Sequence, residues 1–150
     1  MRTAFLPPST NAQYRGAPIA AYLLAFVAVG TIVPGCVHVF LPDGGAGTIA
    51  GLDLGPAAPT IVALFAWAGA TQIALGLAML GVSLRYRSLV PPVLALVILE
   101  RALHAVNGWI LKPGSGHHPP EHYAVLATLP VLLLALLLSL RGGARASFSE

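Results

Sequence analysis

Four long apolar runs alternate with short polar segments along the chain, at residues 17–41, 59–82, 89–111 and 122–140. A helix needs about 20 mostly apolar residues to cross the hydrocarbon core of a bilayer, so each run is long enough to span it. The runs are continuous rather than alternating, as in VLLLALLLSL near the C-terminus, which is unlike the pattern of a membrane β-barrel. We predict an all-α protein, a bundle of four transmembrane helices.

The basic residues divide unequally between the two sides of such a bundle. With four spans, six arginines lie on one side, in the N-terminal arm, the second connection and the C-terminal tail, whereas the other side receives only Lys112. Lys and Arg in short loops stay on the cytoplasmic side. We therefore predict a multi-pass protein of the inner (plasma) membrane with both termini cytoplasmic. Residues 1–16 form a flexible cytoplasmic arm, 17–140 the membrane domain and 141–150 a cytoplasmic tail, also without fixed structure.

Composition supports this prediction and limits the partners. Hydrophobic residues make up 57% of the 150 positions and charged residues only 9%, against roughly a quarter charged in a soluble domain. The low charge excludes a soluble globular chain and a disordered one. The net charge of +3 follows from topology, so the partner is the lipid bilayer and no nucleic acid is needed. One cysteine, Cys36, allows no internal disulfide; the preceding Val33-Pro34-Gly35 resembles a lipoprotein cleavage box, but a buried thiol is the simpler interpretation.

The third span carries most of the candidate chemistry. Glu100 and Arg101 fall near its centre, where a charge costs about 2.5 to 3.5 kcal/mol on insertion scales. Glu100, His104 and Asn107 share one helix face, whereas Arg101 is rotated by about 100°. We therefore expect Glu100 and Arg101 to find separate partners rather than each other.

Residues of other spans lie at matching depths. Gln72 is level with Glu100, and His38 is level with Asn107, which predicts a polar column leading to a histidine-rich outer mouth. These side chains are candidates for ligand binding or proton handling, and interhelical hydrogen bonding is the structural alternative. The candidates are Glu100, His104, Asn107, Gln72, Arg101 and His38; no catalytic residue can be assigned.

Two further patterns admit a structural interpretation. The outer loop carries His118, Glu121 and His122, which are weak metal candidates, because Pro119 and Pro120 start the fourth helix and leave His118 outside it. We assign no metal site, and the sequence requires no cofactor. Small residues recur every fourth position of the second span and predict close helix packing or homo-oligomerisation; they are Ala66, Ala70, Ala74 and Ala78.

Several segments between residues 30 and 140 resemble the DoxX-like group of small four-helix bacterial membrane proteins, which includes branches of unknown function. The segments are WAGA at 67–70, ALGL at 74–77, RYRSLVP at 85–91, Glu100-Arg101 and Pro119-Pro120. The resemblance implies a subunit or partner of a quinone-linked oxidoreductase, but the group has no agreed catalytic residues. The single Cys36 departs from relatives with paired cysteines.

We expect a small protein of uncharacterised activity, more a binding protein than an enzyme. It binds a small lipophilic ligand through the polar face of the third span, or it is an accessory subunit of a membrane redox complex. One alternative is a membrane isomerase that uses the Glu100 and His104 pair to move protons. Others are a small proton- or metal-linked transporter, which would need to oligomerise, and a purely structural subunit.

Overall fold

A computed structural model describes residues 5–113 and 117–141; these residues are helical, in turns or without regular structure, and no strand is found among them. The four helices are α1 (Pro18–Phe40), α2 (Ala58–Arg85), α3 (Val90–Val106) and α4 (Pro120–Leu140). A turn of π-helix, Asn107–Leu111, extends α3. All four helices, with the short turns that extend α2 and α3, are long and apolar enough to cross a membrane, which confirms the predicted four-helix fold. Of the predicted tail 141–150, all but Arg141 lies outside the described residues.

Proline defines the start of each helix. A proline occupies one of the first two positions of all four, and none has a side-chain cap. Proline suits this position because its missing N–H would have no partner in the first turn, and its fixed φ is already helical. The prolines therefore set the observed starts of the helices, which lie within two residues of the predicted ones.

The bundle has two different ends. We call the end that carries Arg85, Arg87 and Arg141 the basic end, and the end that carries residues 41–57, 111–113 and 117–119 the loop end. The fully buried side chains lie in the half toward the basic end, where Leu24, Met79, Leu94 and Leu132 come from the four helices and form one core. The half toward the loop end contains the cavities described below. Packing is therefore tight at one end and open at the other.

Glycines, and not the alanine stripe, bring α1 and α2 together. Gly35 and Gly69 are buried at the contact; a Cβ built on Gly69 would lie 2.6 Å from the His38 Cβ and 2.7 Å from the Gly35 carbonyl oxygen. Ala70, Ala74 and Ala78 are exposed on the opposite side of α2. These alanines therefore do not make the α1–α2 contact, and homo-oligomerisation through them stays a prediction.

The outer surface of the helices is apolar. Phe26 is 73% exposed, Trp67 74%, Leu96 65% and Leu137 56%. So much exposed apolar area would be a liability in water, but it is the normal surface of a helix in lipid. The exposure supports the assignment to a multi-pass membrane protein.

The N-terminal arm contacts the membrane domain at its basic end. The Thr10 N–H donates to the Arg85 carbonyl at 3.0 Å, the Asn11 amide donates to the Leu84 carbonyl at 2.7 Å, and the Tyr86 hydroxyl donates to the Pro7 carbonyl at 3.0 Å. The residues around Thr10 are therefore hydrogen-bonded to the turn between α2 and α3, whereas the sequence predicted a flexible arm. Main-chain carbonyls left over at the end of α2 provide the acceptors.

Candidate functional site

A chain of polar contacts crosses the middle of the bundle from α3 to α1. The Arg101 Nη2 donates to the Thr31 Oγ1 at 2.8 Å, and the Thr31 hydroxyl donates to the Val27 carbonyl at 2.9 Å. Thr31 is 3% exposed and the Arg101 side chain 14%. Because the Thr31 hydroxyl both donates and accepts, it holds one edge of the guanidinium in place. Sequence reasoning missed Thr31, whose position in an apolar run gave no sign that it faces Arg101.

Glu100 contacts two cationic or potentially cationic groups on its own helix. Its Oε1 lies 3.1 Å from the His104 Nδ1, one turn away, as the shared helix face predicted. Its Oε2 lies 3.3 Å from the Arg101 Nε, in a geometry that makes no hydrogen bond. The expectation that neighbours in sequence would not pair is therefore wrong for this ion pair, because the two long side chains bend toward each other. Arg101 also has a partner on another helix, Thr31, as the prediction expected.

Gln72 and His38 approach Arg101 from α2 and α1. The Gln72 Oε1 is buried and accepts no hydrogen bond. The His38 Nδ1 lies 2.7 Å from the Gly44 carbonyl oxygen, and because a carbonyl only accepts, Nδ1 carries the hydrogen. A neutral His38 then has a free acceptor in its Nε2. The His38 ring also meets Phe65 edge to face, with ring centroids 5.1 Å apart.

A cavity of about 360 Å³ lies between α1 and α4 in the loop-end half of the bundle. We call it the α1/α4 cavity. Its walls are mostly apolar, and Thr31, Gln72 and Arg101 are the polar side chains at its deep end. Phe26 and Val33 on its rim are exposed, so the cavity opens sideways toward lipid.

Pro34 adds a backbone acceptor to this cavity. It lies inside α1 and has no N–H, so the Gly30 carbonyl has no helical partner four residues on. Gly30 and Pro34 both line the cavity, and a Cβ built on Gly30 would meet nothing within 4 Å. The wall at Gly30 is therefore open space next to a carbonyl that lacks its usual helical donor.

A second cavity of about 450 Å³, the α2/α3 cavity, lies between α2, α3 and the start of α4. His104, Asn107, Lys112 and His122 line it, so it is the more polar of the two. Five residues line both cavities: His38, Gln72, Arg101, Glu121 and Val125. The two spaces therefore meet at Arg101 and Gln72.

The loop after α1 covers the α1/α4 cavity. Gly45, Ile49 and Ala50 of this loop line the cavity, and the His117 Nε2 bonds the Ala50 carbonyl at 2.7 Å. Asp43 holds the loop together: its carboxylate accepts from the N–H groups of Gly45 at 2.9 Å, Gly47 at 3.1 Å and Thr48 at 2.8 Å. These bonds favour the charged carboxylate, the Thr48 N–H most of all, and they lower the pKa of Asp43.

The predicted histidine-rich mouth is a cluster of aromatic rings. His118 stacks on Trp109 with ring centroids 4.1 Å apart, and its Nδ1 lies 3.1 Å from the His122 Nδ1. His118 precedes the helix and His122 is in its first turn, as the prolines predicted. Within the described residues no group of three His, Cys, Asp or Glu side chains could hold a metal ion. Glu121 lies apart from the two rings and lines the cavities.

The structure brings five of the six predicted residues to the cavities and leaves Glu100 outside them. Arg101, Gln72 and His38 line both cavities and His104 lines one, whereas Glu100 lines neither and instead supports Arg101 and His104. Asn107 borders the α2/α3 cavity, but it is exposed and its amide donates to the Leu103 carbonyl of its own helix at 3.0 Å. The first half of α4 forms one wall of the α1/α4 cavity, through Glu121, Val125 and Thr128.

Comparisons with protein-family models, curated proteins and solved structures gave no significant match. The resemblance to the DoxX-like group, and the redox partners that it implies, therefore stay predictions from the sequence.

Proposed function

We propose that this multi-pass membrane protein binds a small lipophilic molecule in the α1/α4 cavity. The observation that supports the proposal is the cavity itself, which has mostly apolar walls, a lateral opening at Phe26 and Val33, and a cluster of hydrogen-bonding groups at its deep end. Its volume is within the range of about 300 to 1,000 Å³ that is typical of small-molecule sites. An apolar body would occupy the mouth and a polar end would reach Arg101 and Gln72.

The polar end of the cavity is arranged for a ligand rather than for internal bonding. A buried polar group without a partner costs about 1 to 3 kcal/mol, and the Gln72 Oε1 is one such group. Thr31 already fixes Arg101, so the guanidinium loses little freedom when a ligand binds. A molecule that bonds Gln72 and Arg101 together would recover the cost of leaving Gln72 unpaired.

Binding is favoured over transport by the closed core beneath the cavity. Leu24, Met79, Leu94 and Leu132 are all fully buried and fill the half of the bundle toward the basic end. In this arrangement a molecule that enters from lipid reaches Arg101 and meets packed side chains beyond it.

An isomerase-type enzyme is the second candidate. His104 lines the α2/α3 cavity, and the adjacent Glu100 carboxylate can orient its ring. This candidate predicts that His104→Ala abolishes turnover of an alkene or enone lipid and keeps its binding. If His104→Ala retains turnover, the enzyme hypothesis fails.

The orientation follows from charge. The basic end carries Arg85 and Arg87 and receives the N-terminal arm, and the loop end has Lys112 with Asp43, Asp53 and Glu121. We infer that the basic end is cytoplasmic and that the protein belongs to a plasma (inner) membrane. Fusions after Arg141 test this: green fluorescent protein should be bright there and alkaline phosphatase inactive, and the reverse result would overturn the orientation.

Photolabelling of two glycine variants tests the binding proposal. Gly30 and Gly81 both lie in helices, and neither has an atom within 4 Å of a built Cβ, but only Gly30 lines a cavity. Gly30→Leu should therefore fill the cavity, and Gly81→Leu is the matched control. The probe is a long-chain alcohol with a diazirine in its chain, added to vesicles that contain the protein, and labelled peptides are mapped by mass spectrometry.

We expect saturable labelling around Phe26 and Val125 in the unaltered protein and in Gly81→Leu. Gly30→Leu should lose most of it, while both variants keep the helical content of the parent. Equal labelling of the two variants would show that the probe sits on the lipid-facing surface and not in the cavity, and it would overturn the proposal.

A further inference from the structure

We infer that the ligand of the α1/α4 cavity is an uncharged lipid with a hydroxyl group, a lipophilic alcohol or phenol, whose hydroxyl bonds Gln72 and Arg101. The inference rests on the proposed function and specifies the chemistry of the ligand's polar end. The hydrogen-bonding groups that remain free at the deep end of the cavity, and the charges around them, support it.

Both acceptors and donors remain free where the two cavities meet. The Gln72 Oε1 is buried, and no described residue donates a hydrogen bond to it. The Gly30 carbonyl lacks its usual helical donor, because Pro34 has no N–H. Arg101 supplies the donors: its Nη2 bonds Thr31 and its Nε faces the Glu100 Oε2 at 3.3 Å, whereas its Nη1 makes no hydrogen bond with a described residue. A ligand group that only accepts, such as an ether or ketone, would satisfy Arg101 and leave Gln72 Oε1 unpaired.

A hydroxyl group satisfies both sides because it donates one hydrogen and accepts through its oxygen. It can donate to the Gln72 Oε1 and accept from Arg101. The side-chain amide of Gln72 has an acceptor oxygen and a donor nitrogen, and either can face the cavity. A hydroxyl can bond with both, so it suits either orientation of Gln72.

The local charges disfavour a charged ligand. The Glu100 carboxylate lies 3.3 Å from the Arg101 Nε and offsets its charge, and Glu121 adds a second carboxylate at the cavity wall. A carboxylate ligand would therefore meet an arginine whose charge Glu100 already offsets, in a cavity with the Glu121 carboxylate on its wall. An ammonium ligand would meet the guanidinium at the deep end, where like charges repel.

Four diazirine probes with the same long chain test the inference: an alcohol, its methyl ether, a carboxylate and an amine. One hydrogen bond contributes roughly 0.5 to 1.5 kcal/mol. We therefore expect the alcohol to label the cavity about 3-fold to 10-fold more strongly than the ether at equal concentration, and more strongly than either charged probe. The comparison in the unaltered protein needs no variant.

Gln72→Met then assigns the preference to Gln72, since methionine has a similar volume and no amide. In this variant the alcohol should label no more strongly than the ether. Equal labelling by alcohol and ether in the parent, stronger labelling by the carboxylate or amine, or an alcohol preference that survives Gln72→Met would each overturn the inference. If these occur while Gly30→Leu still blocks labelling, cavity binding stands and only the hydroxyl assignment fails.

Discussion

Replacing Gly69 with alanine tests whether α1 and α2 meet at backbone contact. The added Cβ would lie 2.6 Å from the His38 Cβ and 2.7 Å from the Gly35 carbonyl oxygen. Both distances are shorter than carbon contacts allow, and neither neighbouring atom is the end of a flexible side chain. The two helices must therefore separate at this level.

The expected cost follows from comparison with Gly81→Ala. Both changes remove a helix-interior glycine and gain about 0.8 to 1.0 kcal/mol of helix propensity, so this gain cancels between them. What remains is overpacking at Gly69, which costs about 1 to 3 kcal/mol. Gly81 has open space at its Cβ position and should tolerate alanine.

The assay is the free energy of unfolding of both variants in the same detergent or bicelle. We expect Gly69→Ala to be about 1 to 3 kcal/mol less stable than Gly81→Ala. His38 lines both cavities, so cavity labelling in Gly69→Ala should also fall. If Gly69→Ala is as stable as Gly81→Ala, the close contact of α1 with α2 is refuted.

Two other perturbations test the parts that hold the cavity in shape. Thr31→Val removes the acceptor of the Arg101 Nη2 and should cost about 1 to 3 kcal/mol in the free energy of unfolding. The exposed Thr71 hydroxyl donates only to the Trp67 carbonyl, so the control Thr71→Val should cost no more than about 0.5 kcal/mol. Equal effects of the two variants would contradict the role of Thr31. Asp43 has a pKa lowered below 3.8 in the folded loop, so its stabilisation is complete above pH 3.8 and is lost as the pH falls through the lowered value. Hydrogen exchange of the Gly45, Gly47 and Thr48 amides, corrected for intrinsic rates, should therefore accelerate in that acid range, and also at neutral pH in Asp43→Asn; unchanged protection would contradict the capping role.

The helices could be predicted from sequence because their signals are local. Each apolar run has the length of a span, and a proline in the first turn marks each start, as Pro18 and Pro120 do for α1 and α4. Depth in the membrane is also local, which is why Gln72, His38 and Arg101 could be expected at nearby levels. The unequal distribution of basic residues predicts which end of the bundle is cytoplasmic, and the fold alone does not determine this orientation.

The cavities could not be predicted because they depend on how each helix rotates about its axis. The alanines and the glycines of α2 each form a row of small residues along the helix. Only the residues packed against them determine that Gly69 faces α1 while Ala74 faces outward. The same holds for Arg101, whose sequence position gives no indication that Thr31 is its acceptor. The loop after α1 lines the cavity with Gly45, Ile49 and Ala50, and Asp43 holds this loop through bonds that form only in the folded turn.

The central claim is that a small molecule occupies the α1/α4 cavity, and native mass spectrometry of the protein extracted from its membrane tests it most directly. The unaltered protein and Gly81→Leu should each retain one small lipophilic molecule after the detergent is removed, and Gly30→Leu should retain none. Equal retention by Gly30→Leu and Gly81→Leu, or no retained molecule on any of the three, would contradict the account.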